Sequence, residues 1–171
     1  MDIVEIVDAK QKLQIVSDII KTLPEWFGIP ASNEHYIREA ADKDAFAVFE
    51  RSGQPIGLIA LRYHFQTTAE IWWMGVKPEC HRQGIGTLLF KRAKSRARER
   101  GCRTLAVMTL SPRDPNLPYA RTRAFYERQG FRLLLKVNDN GPQNPLAWLT
   151  MDVRPSKRGV AAIDRPTFQA E

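Results

Sequence analysis

The chain has 171 residues, of which 43% are hydrophobic and 26% are charged, with a formal net charge of +7. These values are typical of one globular domain and argue against disorder, while two cysteines, Cys80 and Cys102, are too few for a disulfide scaffold or a cysteine-based zinc site. No apolar run approaches the ~20 residues of a membrane span and the N-terminal segment does not resemble a secretion signal, so we expect a cytoplasmic protein without a membrane partner or a bound metal.

The first half of the chain alternates between helical and strand periodicity. Ser32 is the expected N-cap of the second helix, and a Ser52-Gly53-Gln54 turn separates two strands in a hairpin pattern. Trp26 and Phe27 lie in a proline- and glycine-rich loop between the helices, where they form either an acceptor-cleft wall or a core anchor. The predicted elements are a strand at 3–7, helices at 12–22 and 33–41, and strands at 46–51, 56–65 and 70–76.

The second half continues with a helix at 84–100, a strand at 104–110, a helix at 119–129 and strands at 132–137 and 146–153. Gly101 and Gly130 are the expected C-terminal caps of the two helices. The resulting order of elements is that of an α+β layer fold. We expect residues 1–153 to form a single domain and the polar, basic segment 154–171 to be a flexible tail.

A glycine-containing loop joins the strand at 70–76 to the following helix. Two glycines at the start of a helix allow close approach of an anion, and the helix N-terminus supplies free N–H groups and a favourable dipole. The pattern lacks the Gly-Lys-Ser/Thr of a P-loop and the third glycine of a dinucleotide site. A diphosphate is therefore the expected ligand of the segment His81, Arg82, Gln83, Gly84, Ile85, Gly86 and Thr87, with an ordinary strand-to-helix turn as the alternative.

This segment resembles the coenzyme A pyrophosphate loop of the GNAT superfamily of N-acetyltransferases, Gln/Arg-x-x-Gly-x-Gly/Ala, with His81 where glutamine or arginine is usual. A second segment, from Tyr126 to Gly130-Phe131, is similar to the family's Tyr-x-x-x-Gly-Phe. The resemblance covers almost everything before the tail. It implies the GNAT fold, with a mixed, mostly antiparallel sheet and helices on both faces, and acetyl-CoA as the acetyl donor.

The resemblance also assigns roles to residues along the cofactor. The pantetheine arm would lie beside the backbone of Met74, Gly75 and Val76, although Gly75 is equally explained as a packing glycine beneath a bulky neighbour. Tyr126 would protonate the leaving thiolate, because a thiol has a pKa of ~8.5 and tyrosine one of ~10; the alternative is a core aromatic. Tyr119 stands where many members place a coenzyme-binding asparagine.

An acceptor amine must lose a proton before it attacks, so a general base is expected. Glu70 is the leading candidate, on the face of its strand that carries Trp72 and Met74, unless it is an ordinary exposed strand-end glutamate. His64, which shares a face with Arg62, is the second candidate. Cys80 is only a weak candidate nucleophile, which favours direct transfer in a ternary complex.

The acceptor itself is the least determined part of the prediction. Six lysines and arginines lie between positions 91 and 100; they are typical of a solvated helix face, and a nucleic-acid surface is less favoured because aromatic residues are not interleaved with them. A small-molecule amine is therefore the leading acceptor. A protein, peptide or aminoacyl-RNA amine, a non-catalytic coenzyme-binding module and a homodimer remain open alternatives.

Overall fold

The computed structural model describes residues 2–137 and 145–154, so nearly all of the predicted tail at 154–171 lies outside the described residues. The order of elements is the predicted one. They are β1 (Ile3–Ile6), α1 (Ala9–Lys21), α2 (Pro30–Glu39), β2 (Asp44–Phe49), β3 (Pro55–His64), β4 (Thr68–Val76), α3 (Ile85–Glu99), β5 (Thr104–Leu110), α4 (Leu117–Arg128), β6 (Arg132–Val137) and β7 (Leu146–Asp152).

The seven strands form one sheet in the order β1-β2-β3-β4-β5-β7-β6. Only β4 and β5 pair in parallel, and every other neighbouring pair is antiparallel. Short turns join β2 to β3 and β3 to β4, which are antiparallel neighbours, whereas α3 provides the crossover that the parallel pair of β4 and β5 requires. The predicted mixed, mostly antiparallel sheet is confirmed.

The helices cover the two faces of the sheet with different side chains. On the face packed by α1, the sheet presents Ala45, Ala47 and Ala60, whose small side chains let the helix approach closely. On the face packed by α3, which we call the α3 face, β2 presents the larger Phe46 and Val48. Strands buried on both faces explain why β2 and β3 are nearly continuous apolar runs.

Three helices start earlier than predicted, and the first of them, α1, begins at Ala9 rather than at position 12, with Asp8 as its N-cap. Helix α2 begins at Pro30 rather than Asn33, because a proline is favoured in the first turn of a helix, and its N-cap is Ile29 rather than Ser32. Asn33 donates instead to the carbonyl of Phe27 at 2.8 Å. Helix α4 begins at Leu117, capped by the Asn116 side chain. The glycine caps are as predicted: Phe131 N–H bonds Tyr126 O and Gly130 N–H bonds Glu127 O, a Schellman motif.

The basic stretch of α3 is largely engaged inside the molecule. Arg92 and Arg96 lie over the ring of Phe46, at 4.3 and 5.2 Å, and both pair with Glu5 and Glu99. One turn on, Arg100 lies 4.8 Å over the ring of Tyr63 and pairs with Asp44. Three of the six cations therefore fix the helix to β1, β2 and β3, which accounts for them without a nucleic acid.

The most consequential irregularity of the sheet is in β4. Its parallel pairing with β5 covers Thr68–Ile71 only, whereas β4 remains paired with β3 as far as Val76 and β5 remains paired with β7 as far as Leu110. Beyond Ile71 the two strands therefore separate, and we call the space between them the groove. A β-bulge accompanies the separation: Ala60 pairs with Trp73 and Leu61 with Ile71, which leaves Trp72 as the extra residue.

Gly75 lies beneath a tryptophan of its own strand. A Cβ atom at this position would lie 2.6 Å from the Trp73 ring and 2.9 Å from Ile19. The packing explanation of this glycine is therefore confirmed, and the bulge lies three residues earlier, at Trp72.

We expect Gly75→Ala to lower the free energy of unfolding by about 1–3 kcal/mol, because the added methyl group overpacks the contact between Trp73 and α1. Urea or thermal unfolding measures the change. Gly28→Ala is the matched control, since its new Cβ would have a nearest contact of 3.5 Å. Equal stability of the two variants would contradict the packing role.

Candidate active site

The loop before α3 is built to present backbone donors. Arg82 and Gly84 have φ angles of +59° and +83°, so two left-handed residues turn the chain sharply just before the helix. Helix α3 has no side-chain cap, and its first internal bond runs from Leu88 N–H to Gly84 O at 2.9 Å. The N–H groups of the residues between them thus remain available to an anion.

Two side chains surround the first turn of this helix. A Cβ at Gly86 would lie 3.3 Å from Met74 and 3.4 Å from Phe125. Gly86 therefore allows β4 and α4 to meet at the helix start, close to the donors described above. His81 bonds the Val76 carbonyl through Nε2 at 2.8 Å, which ties the loop to the last residue of β4.

Tyr126 lies on α4 with its ring in the core. The ring is packed between Phe125 and Phe131, each with its centroid 5.3 Å away. The hydroxyl makes no hydrogen bond to the described residues. Burial, and secondarily the nearby Tyr119, raises the pKa of Tyr126, so that its hydroxyl stays protonated throughout the neutral range.

Glu70 is a buried carboxylate, only 2% exposed, so the exposed strand-end alternative is wrong. Arg62 donates to its Oε2 from Nε at 2.9 Å and from Nη2 at 2.8 Å, and His64 Nε2 bonds the same oxygen. Oε1 accepts no hydrogen bond from the described residues. Arg62 and His64 thus both hold the same oxygen of the carboxylate.

The bulge changes the neighbours that Glu70 was expected to have. Trp72 and Trp73 both pack on the side of the sheet that carries α1, whereas Met74 packs in the core on the α3 face. Glu70 therefore shares its face with Trp72 but not with Met74, because the extra residue reverses the alternation along β4. The predicted grouping of His64 with Arg62 is confirmed by their common contact with Glu70.

The two aromatic residues of the loop between α1 and α2 point in different directions. Phe27 packs against Tyr36 and Trp73, so it is a core anchor. Trp26 contacts His81 edge-on at 5.8 Å and donates from Nε1 to Thr122 Oγ1 at 3.1 Å. This tryptophan thus connects the loop to α4 and to the segment before α3.

Tyr119 completes the same connection. Its hydroxyl donates to the Trp26 carbonyl at 2.8 Å, and burial raises the pKa of Tyr119 to about 12. The side chain at the position of the family's asparagine is therefore occupied in holding the loop between α1 and α2 onto α4.

Cys80 is 6% exposed, and burial raises the pKa of its thiol. A buried thiol of raised pKa is a poor nucleophile, which weakens the covalent alternative further.

The structure adds residues that the sequence did not single out. Tyr36 contacts Trp72 edge-on, with their ring centroids 5.7 Å apart, and burial, with the charge of Glu70 as a smaller cause, raises the pKa of Tyr36. Thr109 lies on β5 beyond the last residue paired with β4, and its buried hydroxyl has no partner in the described chain. An unsatisfied buried hydroxyl beside an open groove is the only signal for Thr109, and it is visible only after folding.

Comparison with known families gives a match over residues 13–131 to the model described as the acetyltransferase (GNAT) family. The chain belongs to the GNAT acetyltransferase family. It is an acetyl-CoA-dependent N-acetyltransferase, and its fold is that of the acyl-CoA N-acyltransferases. None of its described helices is long and apolar enough to cross a membrane.

Solved structures agree with this fold. An aminoglycoside 6'-acetyltransferase type Ii is 24% identical with a TM-score of 0.72, covering 91% of this chain and 99% of that chain. An aminoglycoside 6'-N-acetyltransferase complexed with coenzyme A is 21% identical with a TM-score of 0.71, covering 91% and 98%. The ribosomal-protein-S18-alanine N-acetyltransferase from Escherichia coli is 15% identical with a TM-score of 0.71, covering 94% and 99%. The comparison with curated proteins gave no match.

The described residues of this GNAT enzyme fit coenzyme A at two places. The uncapped start of α3 offers N–H groups to the pyrophosphate, and the separation of β4 from β5 leaves strand edges that an amide-containing arm can pair with. Acetyl-CoA supplies an activated thioester, and the chain supplies the donors, the groove and the proton-transfer groups around it.

We expect Gly84→Leu to weaken acetyl-CoA binding by roughly 10- to 100-fold, because a side chain at the uncapped helix start would displace the pyrophosphate from its N–H donors. Isothermal titration calorimetry on the folded variant measures this. Gly53→Leu is the matched control: Gly53 has a φ of +84° and equally open space around its Cβ, but lies in a hairpin turn. Equal affinity of the two variants would remove the loop from the cofactor site.

Proposed function

We propose that this enzyme transfers the acetyl group of acetyl-CoA directly to the primary amine of a small molecule, with Glu70 as the general base and Tyr126 as the general acid. The observation that carries the proposal is the separation of β4 from β5 directly after Glu70 and Ile71. A thioester held in this groove would lie beside the Glu70 carboxylate at the apex of the groove, which is the point where β4 and β5 stop pairing. Helix α4 supplies the hydroxyl of Tyr126.

The base is supported by how Glu70 is held. A primary ammonium of pKa ~10.4 has no lone pair for attack, so a carboxylate must take its proton, directly or through water. Arg62 and His64 hold Oε2, which leaves Oε1 to receive that proton. The amine nitrogen then bonds to the acetyl carbon as the carbon–sulfur bond breaks.

The acid is supported by the environment of Tyr126. Because burial raises its pKa, the hydroxyl carries a proton when negative charge develops on sulfur, and it has no competing partner in the described chain. Proton transfer to sulfur leaves a tyrosinate that solvent reprotonates. Backbone groups of Met74, Gly75 and Val76 would pair with the pantetheine arm and polarise the thioester carbonyl.

The pyrophosphate ligands in this proposal are the backbone groups and side chains of residues 81–87, with His81 holding the end of β4 and Tyr119 acting through Trp26 rather than as a direct ligand. Residues 1–153 make up the catalytic domain, with the segment 154–171 outside it.

The interactions that the arginines of α3 make within the chain favour a small acceptor over an RNA-linked or protein amine. Arg92, Arg96 and Arg100 are paired with carboxylates and stacked on rings, so they do not form a free phosphate-binding stripe. The retained acid and base candidates argue against a non-catalytic coenzyme sensor.

We expect Glu70→Gln to lower kcat/KM for the amine by about 10²- to 10³-fold at pH 7, because the variant cannot accept a proton. The deficit should shrink as the pH approaches the ~10.4 of the amine, since more acceptor is then already deprotonated. A thiol-release assay across pH measures both. Glu50→Gln, at an exposed turn, should behave as wild type. A deficit independent of pH would instead indicate a structural role for Glu70.

We expect Tyr126→Phe to slow acetyl transfer in a single turnover by roughly 10²-fold, because the proton donor is needed only as the thiolate forms. Coenzyme affinity should change little, since the ring and its packing are kept. Rapid-quench kinetics is required because product release can mask the chemical step. Tyr63→Phe removes a hydroxyl that bonds Asp44 elsewhere and should leave the transfer rate unchanged. A wild-type rate in Tyr126→Phe would reduce this tyrosine to a packing residue.

A further inference from the structure

Three apolar side chains form a row across the β5–β7–β6 half of the sheet. Met108 pairs with Trp148, and Trp148 pairs with Leu135, so all three lie side by side on one face. Met108 is 41% exposed and Leu135 is 46% exposed, which is unusual for large apolar residues that lie next to each other on paired strands. We call these residues the apolar row.

The apolar row lies on the face of the sheet that carries α1 and α2, because the alternate residues Val107 and Leu149 are buried in the core on the α3 face. Helices α1 and α2 pack on β1 to β4 only: among the described residues, their core cluster includes none from β5, β6 or β7. No described helix therefore covers this half of the face.

The apolar row adjoins the candidate base. Glu70 pairs with Ala106, which lies two residues before Met108 on β5. Glu70 and Met108 are therefore separated by about 6.6 Å along the strand direction. His64 joins them directly: its Nε2 bonds Glu70, and its ring contacts Trp148 at 6.5 Å. At Met108 the row ends beside the groove, since β4 and β5 are no longer paired there.

The charges around this face do not suit a polycation. Glu70 belongs to a series of paired residues that crosses the sheet from Arg62 on β3, through Ala106 and Thr150, to Arg132 on β6. Glu70 is paired with Arg62 and His64, and Asp152 with Arg154. Beside Trp72, Lys43 pairs with Asp42 and lies 5.0 Å over the indole ring. Each of these carboxylates already has a cation of the chain.

We infer that the apolar row binds the body of the acceptor, and that the acceptor is a monoamine with an apolar or aromatic body rather than a polyamine. The amine would reach Oε1 of Glu70 at the apex of the groove while the body lies along Met108 and Trp148. This inference rests on the proposed function and names the chemical class of its acceptor. A second cationic group on the body would lose its hydration against an apolar surface flanked by arginines.

The test compares hexylamine with 1,6-diaminohexane, which present the same reacting amine and differ in whether the far end is a methyl group or an ammonium. We expect kcat/KM, corrected for the two equivalent amines of the diamine, to favour hexylamine by at least about tenfold. Met108→Glu should reverse or abolish this preference, because it places a carboxylate beside the far end, and the KM for acetyl-CoA should not change. Val7→Glu, an 81% exposed position beside β1 at the opposite edge of the sheet, should keep the wild-type preference.

Binding is measured in parallel through tryptophan fluorescence of the coenzyme A complex. If neither amine is acetylated, the proposed function fails, but the comparison of dissociation constants still decides the acceptor class. Equal or tighter binding of the diamine, or a preference that Met108→Glu leaves intact, would overturn the inference. So would a dimer in sedimentation experiments that Met108→Glu dissociates, since a second copy would then occupy the apolar row.

Discussion

The arrangement of the candidate active site depends on the point at which β4 and β5 stop pairing. Four residues of each strand are bonded in parallel, and beyond Ile71 and Val107 each strand keeps only its outer partner. Strand edges facing a narrow gap need hydrogen-bond partners, and a ligand rich in amides can supply them. The helix start that follows β4 supplies anion donors at the open end of this gap, whereas the buried carboxylate lies at its closed end.

A buried carboxylate is costly unless it is both paired and hydrogen-bonded. Here the cost is limited by Arg62 and His64, which come from the neighbouring strand and converge on one oxygen of Glu70. This arrangement fixes the orientation of the other oxygen, to which no described residue donates a hydrogen bond. The same strand pairing that builds the sheet therefore also positions the charged group, so that its orientation does not depend on a mobile loop.

Much of this could be predicted from the sequence, because the signals were local. Hydrophobic periodicity predicts the order of all eleven elements, and the glycines Gly101 and Gly130 predict two helix ends. In the structure both glycines have the positive φ angle that favours glycine at this position. The bulge at Trp72 could not be predicted, since it arises from fitting two tryptophans against α1 and α2, and it moved Met74 away from the face of Glu70. The surroundings of Tyr36, Thr109 and Trp148 depend on long-range packing, so hydrophobic periodicity does not predict them. The start of α2 at Pro30 differs from the prediction because proline is frequent both in loops and in the first turn of a helix, so the residue alone does not distinguish them.

The loop between α1 and α2 has a consequence for how the two substrates influence each other. Trp26 is bonded to α4 through Thr122 and Tyr119, and its ring contacts His81 next to the anion-binding turn. Trp26 thus links the loop between α1 and α2 both to α4 and to the segment before α3. If α4 moved when one substrate binds, these contacts would carry the displacement to the loop between α1 and α2 and to the segment before α3. Linkage then requires equal and reciprocal changes in the two affinities, so cooperativity between donor and acceptor would be a property of this one side chain's attachments.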